Sequence, residues 1–142
     1  MNISQQLTSN LPVGAYKLVE LYLQESIFRC SPRQYQELEL NFDVKISFSE
    51  IENTIHVVLK VILSTAKPDI FHLEASMQGK FERQDETVTM AVEEFSNIIA
   101  ASIMFPYIRE HVSSLTSKSG INPITLPIIN FIQLYHEAKK QN

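Results

Sequence analysis

The sequence predicts an α+β fold: a four-stranded antiparallel sheet packed on a long helix in the C-terminal half, with a short terminal helix added. Three observations predict it. Leu38, Leu40, Phe42, Val44, Ile46 and Phe48 alternate strictly with Glu37, Glu39, Asn41, Asp43, Lys45 and Ser47. Period two over that length is a strand with one face buried, because successive side chains of an extended chain point to opposite sides. Past residue 85 the period lengthens to about 3.6, with Val88, Val92, Phe95, Ile99 and Ile103 on one helical stripe. Strands therefore come first and helices after, the order of an α+β chain.

Residues 1–14 are polar, end in Leu-Pro-Val-Gly, and are expected to form a loosely held arm of a single domain spanning 1–142. Tyr16–Gln24 has the weakest strand pattern, with Val19, Leu21 and Leu23 expected on one face and Tyr16, Leu18 and Tyr22 on the other. The second strand is the alternating run from Leu38 to Phe48. Ile55–Thr65 is β-branched, with Ile55, Val57, Leu59, Val61 and Leu63 on one face. In the fourth strand Phe71, Leu73, Ala75, Met77 and Phe81 alternate with His72, Glu74, Ser76, Gln78 and Lys80. Lys67-Pro68-Asp69 reads as the turn between the last two strands, and short polar connections make the sheet antiparallel. Pro106 lacks a backbone donor and disfavours helical geometry at Phe105, so a break is expected there, with a second helical piece from Pro106 carrying Ile108, Val112 and Leu115. Gly120 is a natural stop. Residues 121–129, with Pro123 and Pro127, read as extended, and Asn130 caps a short helix bearing Phe131, Ile132, Leu134 and Tyr135. Lys139 and Lys140 in its last turn suit the helix dipole.

Composition narrows the function. Apolar residues make up 44% of the 142, enough for a core, and the net charge of −4 argues against a nucleic-acid partner, which needs a basic patch. One cysteine allows no internal disulfide and points to a reducing compartment. Met1–Asn10 has no basic stretch followed by an apolar one, and no run is long enough to insert into a membrane, so a cytoplasmic location is expected.

Catalytic chemistry has little to build on. Three glycines are scattered, with no phosphate loop and no Gly-x-Ser-x-Gly elbow. Cys30, in a loop-like Arg29-Cys30-Ser31-Pro32 context, reads as a small half-buried thiol rather than a nucleophile. His72 and Glu74 share a strand face, and His56 on the neighbouring strand is the nearest third ligand for a metal; a solvated polar face is the stronger reading. The acidic pairs Asp85-Glu86 and Glu93-Glu94 suit the start of the long helix better than acid–base work. No cofactor and no enzymatic activity are expected.

The last third carries the more informative signal. Phe105, Tyr107, Ile121, Ile124, Leu126, Ile128, Ile129, Phe131, Ile132 and Tyr135 are dense in a stretch that prolines keep out of a sheet. They either complete the core or line an apolar groove between helix and sheet. The long helix is apolar around most of its circumference, from Val88 to Met104. Its own sheet covers one side, so an oligomer with helices sandwiched between protomers is expected.

Met104-Phe-Pro-Tyr-Ile-Arg-Glu110 resembles the Leu-Phe-Pro-Tyr-Ala-Arg-Glu signature of the SecB family, and Leu126-Pro-Ile-Ile-Asn-Phe131 resembles its Leu-Ala-Pro-Val-Asn-Phe. Val57-Val-Leu-Lys-Val61 and Gln78-Gly-Lys-Phe81 extend the similarity upstream, to about residues 16–135. The resemblance implies a SecB-like fold and a homotetramer, a dimer of dimers, that holds unfolded precursor proteins in apolar grooves without nucleotide. Phe28, Phe105, Tyr107, Leu126, Phe131 and Tyr135 are the positions it implies for client contact. It also implies docking on the motor SecA through acidic residues of the outer sheet face, for which Glu25 and Glu74 match. Arg29 stands where a further acidic residue is usual, and the segment Glu137-Ala-Lys-Lys-Gln-Asn142 lacks the acidic tail of many members. A branch of the family serves antitoxins of toxin–antitoxin systems, which is the alternative within the chaperone class. A module binding a small apolar ligand is the alternative outside it.

Overall fold

The computed structural model of the protein describes residues 15–31, 38–67, 70–84 and 90–141. The expected arm over 1–14, the turn residues Pro68 and Asp69, the acidic pair Asp85-Glu86 and the helical position Val88 lie outside them. Four strands form one antiparallel sheet: β1 (Tyr16–Cys30), β2 (Asn41–Ile51), β3 (Thr54–Ser64) and β4 (Phe71–Arg83), in the order β1-β4-β3-β2. The β2–β3 hairpin turns through Glu52, whose φ of 57° is in the left-handed region. Across the β3–β4 connection Thr65 N–H donates to the Phe71 carbonyl at 3.1 Å.

One face of the sheet is the core side. Val57, Leu59 and Val61 of β3 and Phe71 and Leu73 of β4 are fully buried, and each such side chain stabilises the fold by about 1.5–3 kcal/mol. The central strands are covered more completely than the edges: Phe42, Val44 and Ile46 of β2 are only half-buried, and Phe48 is exposed.

The edge strand β1 differs from its expected pattern. It runs to Cys30, six residues past Gln24, and its pairing with β4 shifts between Leu18 and Glu20 and again between Leu23 and Glu25. Each extra residue inverts the alternation. Leu18 pairs with Phe81, Leu21 with Gly79 and Leu23 with Met77, so Leu18, Leu21 and Leu23 share the core side, while Tyr22 opposite Gln78 faces outward. The expectation that Leu18 and Leu21 point opposite ways is corrected by the first bulge. Cys30 is the last strand residue, paired with Phe71, and not part of a loop.

The helical half begins with one turn, α1 (Val92–Glu94), widens into a π segment over Phe95–Ala100, and continues as α2 (Ala101–Thr116). The break expected at Pro106 does not occur, since α2 passes through it. Proline removes the hydrogen bond that Ser102 C=O would accept, and both Pro106 and Ser102 are exposed, so the lost bond falls on the solvent side of the helix, where it costs least. The irregularity lies a turn upstream, in the π segment, where Ser96 is fully buried and its hydroxyl has no hydrogen-bond partner among the described residues. α2 sits directly on β4 at Gly79, where an added Cβ would stand 2.9 Å from Met104 Sδ. Phe95 stacks on Tyr16 at 3.9 Å and meets Phe81 edge-on at 5.3 Å, anchoring the π segment over the far end of the sheet.

Thr116 ends α2 and anchors the next segment. Its hydroxyl donates back to Val112 C=O at 2.8 Å and accepts from Ile124 N–H at 2.9 Å. The chain then runs without regular structure to α3 (Phe131–Lys140), capped by Asn130, whose side chain accepts from Gln133 N–H at 3.0 Å. Phe131 lies against Phe105 and Lys139 against Glu93, so α3 runs back antiparallel to the long helix.

Candidate functional site

The helical half divides the apolar side chains into two sets. The first surrounds α3. Phe105 and Phe131 meet edge-on at 5.6 Å, and Phe105, Leu126 and Phe131 are buried, with 3–4% of their surface exposed. Tyr135 is half-buried, and its ring lies 5.6 Å from Lys139 Nζ. The apolar surface continues outward: Ile128, Ile132 and Leu134 are exposed.

The second set lies on another face of the long helix. Tyr107 is two residues after Phe105, a rotation of about 200° at 3.6 residues per turn, so the two side chains point apart. Tyr107 falls in line with Ile99 and Ile103 at four-residue spacing, and all three are exposed. Phe95, Ile99 and Ile103 of the helical half line an apolar cleft of about 360 Å³ together with Tyr16, Leu18 and Phe81 of the sheet. Sequence reasoning assigned the second apolar face of this helix to an interface between protomers but did not foresee the cleft it forms with Tyr16, Leu18 and Phe81. The signal was present, because a helix apolar all round leaves one side for something other than its own sheet.

Phe28 is separate from both sets. It lies near the end of β1, half-buried and edge-on to Phe71 at 5.6 Å, on the core side. Two residues earlier Ser26 shares a hydrogen bond of 2.9 Å with His111, which ties β1 to α2. The six expected client residues are thus brought together only in part: Phe105, Leu126 and Phe131 are covered around α3 with Tyr135 beside them, and Tyr107 and Phe28 lie elsewhere.

The outer face of the sheet is polar and internally paired. Glu74 contacts Lys60 Nζ at 3.3 Å and His72 Nε2 at 3.1 Å. Those hydrogen bonds, His72 first and Lys60 second, hold its carboxyl below the ordinary carboxylate range. Glu74 is therefore a neutralised carboxylate rather than a free one. Glu25 is exposed on β1 opposite Ser76, and Arg29 lies opposite His72. His56 does not join His72 and Glu74; it accepts from Gln78, which in turn accepts from the Tyr22 hydroxyl at 2.6 Å. Among the described residues no three His, Cys, Asp or Glu side chains converge to hold a metal ion. Among the same residues no helix is long and apolar enough to cross a membrane.

Chemically, the arrangement offers apolar surface on two sides of a helix and a charge-balanced sheet face. Comparison with known proteins agrees with this. The family model described as preprotein translocase subunit SecB matches residues 19–142. The protein-export protein SecB of Nitrosomonas europaea is 30% identical over 119 residues, covering 78% of this chain and 73% of that protein. The protein-export protein SecB of Magnetococcus marinus is 29% identical over 139 residues, covering 89% and 85%. The fold matches that of a Mycobacterium tuberculosis SecB-like chaperone, solved in complex with a ChAD peptide from an antitoxin, with a TM-score of 0.67 over 81% of this chain and 88% of that one at 14% identity. The chain belongs to the SecB family, whose members are chaperones of protein export and not enzymes.

Proposed function

We propose that this protein is an ATP-independent holding chaperone that binds unfolded, export-competent precursor proteins in its apolar grooves and delivers them to the SecA motor. The observation that carries the reading is the apolar surface left on two sides of the long helix in a chain of this family: Ile99, Ile103 and Tyr107 on one, Ile128, Ile132 and Leu134 around the other. Unfolded chains present apolar side chains without fixed order, and an open apolar surface holds them without requiring a particular sequence. The client residues are Phe105, Leu126, Phe131 and Tyr135 around α3, with Tyr107 and Phe28 contributing from their own surfaces. Ile99, Ile103 and the cleft they line supply the interface for further copies of the chain, giving a dimer of dimers with helices between protomers. The working location is the cytoplasm, and residues 1–142 act as one domain.

A second reading, a chaperone dedicated to one antitoxin, is favoured by a specific observation. Glu74 is occupied by Lys60 and His72, so the outer face offers less free negative charge to a motor than Glu25 and Glu74 imply together. Titration of the protein into a diluted, chemically denatured precursor, followed by light scattering without ATP, separates the readings. Suppression of aggregation near stoichiometric ratios supports the general holding role. No suppression by folded, oligomeric protein refutes it and leaves the antitoxin chaperone or a small-ligand module. Glu74→Lys tests delivery: SecA affinity falls with client binding unchanged, or Glu74 has no part in docking.

A further inference from the structure

The apolar cleft between the sheet and the helical half ends beside a cation. Arg83 follows Phe81 by two residues on β4, so the two side chains lie on the same face of the sheet. The backbone partner of Arg83 on β1 is Tyr16, and Tyr16 and Phe81 both line the cleft. The guanidinium reaches the Tyr16 end: Nη2–H donates to the Tyr16 hydroxyl at 3.4 Å, and Cζ lies 5.7 Å from the centre of the ring.

That guanidinium is poorly satisfied. Its bond to Tyr16 is long, the Glu50 carboxylate stands 3.8 Å from Nη2, and Nε is buried with no hydrogen-bond partner among the described residues. Direct bonds between an arginine and a carboxylate run to about 2.7–2.9 Å. The side chain is 23% exposed, so a ligand can reach it. A planar cation with only these long contacts, set at the end of an apolar cavity, suits a carboxylate that carries an apolar tail.

The cleft also sets the size and chemistry of the tail. Its volume of about 360 Å³ falls within the ~300–1,000 Å³ of small-molecule sites. The helical wall runs from Phe95 to Ile103, roughly 10–12 Å at about 1.5 Å per residue, the reach of an extended chain of about eight to ten carbons. Apart from the Tyr16 hydroxyl, the described side chains of the lining are apolar, which excludes a sugar or a nucleotide, because their polar groups would go unpaired.

We infer that the cleft is a binding site for an unbranched medium-chain fatty acid. The alkyl chain lies between Leu18 and Phe81 of the sheet and Ile99 and Ile103 of the helix. The carboxylate takes the place of Glu50 on Arg83, with the Tyr16 hydroxyl beside it. Ile99 and Ile103 also belong to the proposed interface between copies, so the acid and a neighbouring copy exclude one another. That consequence rests on the proposed assembly, whereas the site itself does not.

Calorimetric titration of the full-length protein with decanoate, kept below the concentration at which it forms micelles, tests the site, with decanol as the uncharged control. Decanoate is expected to bind at one site per chain, and octanoate about tenfold more weakly for its missing methylenes. Arg83→Gln should weaken decanoate by at least about tenfold, the range of a hydrogen bond to a charged group. The same variant should bind decanol unchanged, which shows that the cleft has kept its shape. Glu50→Gln should tighten decanoate by about threefold, because a competing carboxylate is gone. Ile103→Glu should abolish binding and Tyr135→Ala should not, which separates the cleft from the surface around α3. No binding of decanoate, equal binding by Arg83→Gln, or binding that survives Ile103→Glu overturns the site. Sedimentation of the same samples reads the assembly. Smaller species appearing as decanoate binds support both the site and the interface. Binding with the assembly unchanged supports the site and shows that the interface between copies lies elsewhere.

Discussion

Gly79→Ala probes the seat of the long helix on the sheet, on which both apolar surfaces depend. The added Cβ would stand 2.9 Å from Met104 Sδ, 2.9 Å from Phe81 Cε2 and 3.3 Å from Met104 Cε. Unstrained contacts of this kind are about 3.5–4.0 Å, so the closest two are short by roughly 0.6–1 Å. Met104 and Phe81 are buried, at 0% and 1% exposure, and neither can swing into solvent. The helix must lift or two core side chains must leave their rotamers, which costs about 1–3 kcal/mol. Replacing glycine by alanine in a strand returns about 0.5–1 kcal/mol by restricting the unfolded chain. The net expectation is a loss of about 1–2 kcal/mol, or roughly 3–7 °C in Tm. Urea unfolding at one fixed protein concentration measures it, because assembly makes stability depend on concentration. A second variant isolates the cause. On a Met104→Ala background only the Phe81 contact remains, with space beside it for the ring to shift, so Gly79→Ala should cost clearly less than it does in the unaltered protein. An unaltered midpoint for Gly79→Ala alone would refute the close approach of α2 to β4.

Ser96→Ala should stabilise the protein by about 1 kcal/mol, because its buried hydroxyl has no partner among the described residues and alanine suits a helix better; a thermal melt that falls instead would show that the hydroxyl is bonded. Phe131→Ala should cost about 1–2 kcal/mol in global unfolding, below the ~3–5 of a phenylalanine in one cooperative core, while amide protection over 131–140 disappears. Tyr135→Ala should weaken client binding and leave the melt within about 0.5 kcal/mol, since the side chain is only half-buried. Glu74 has a folded pKa below its usual 4.5, so its contribution is present above that value and is lost as pH falls through the folded pKa. The difference in urea midpoint between the unaltered protein and Glu74→Gln should accordingly shrink on acidification, and a constant difference would contradict the pairing with His72 and Lys60.

Residues that alternate cleanly were legible from sequence alone. The later two strands came out because one face of each is buried and the other is not, which imposes period two on the residues themselves. β1 was half legible: its bulges at Val19 and Gln24 invert the phase, and no residue type there announces an extra position. Glu25, Ser26 and Ile27 then hide the strand's second half, because an edge strand needs no apolar alternation to be held by its neighbour. Pro106 looked like a break because sequence does not show that Ser102 and Pro106 lie on the exposed side of the helix. The π segment left no readable mark. Among the site residues, the divergence of Phe105 and Tyr107 was available from helical geometry alone. The neutralisation of Glu74 was not, since it depends on the register that sets Lys60 diagonally across from it.

Amide exchange of the protein alone and saturated with a denatured precursor tests the central claim most directly. The account predicts that client binding alters exchange at Phe105–Tyr107, over residues 126–135 and at Phe28, with the outer sheet face around Glu74 unchanged. Binding that leaves those segments unchanged, or a footprint confined to the outer face, would contradict it.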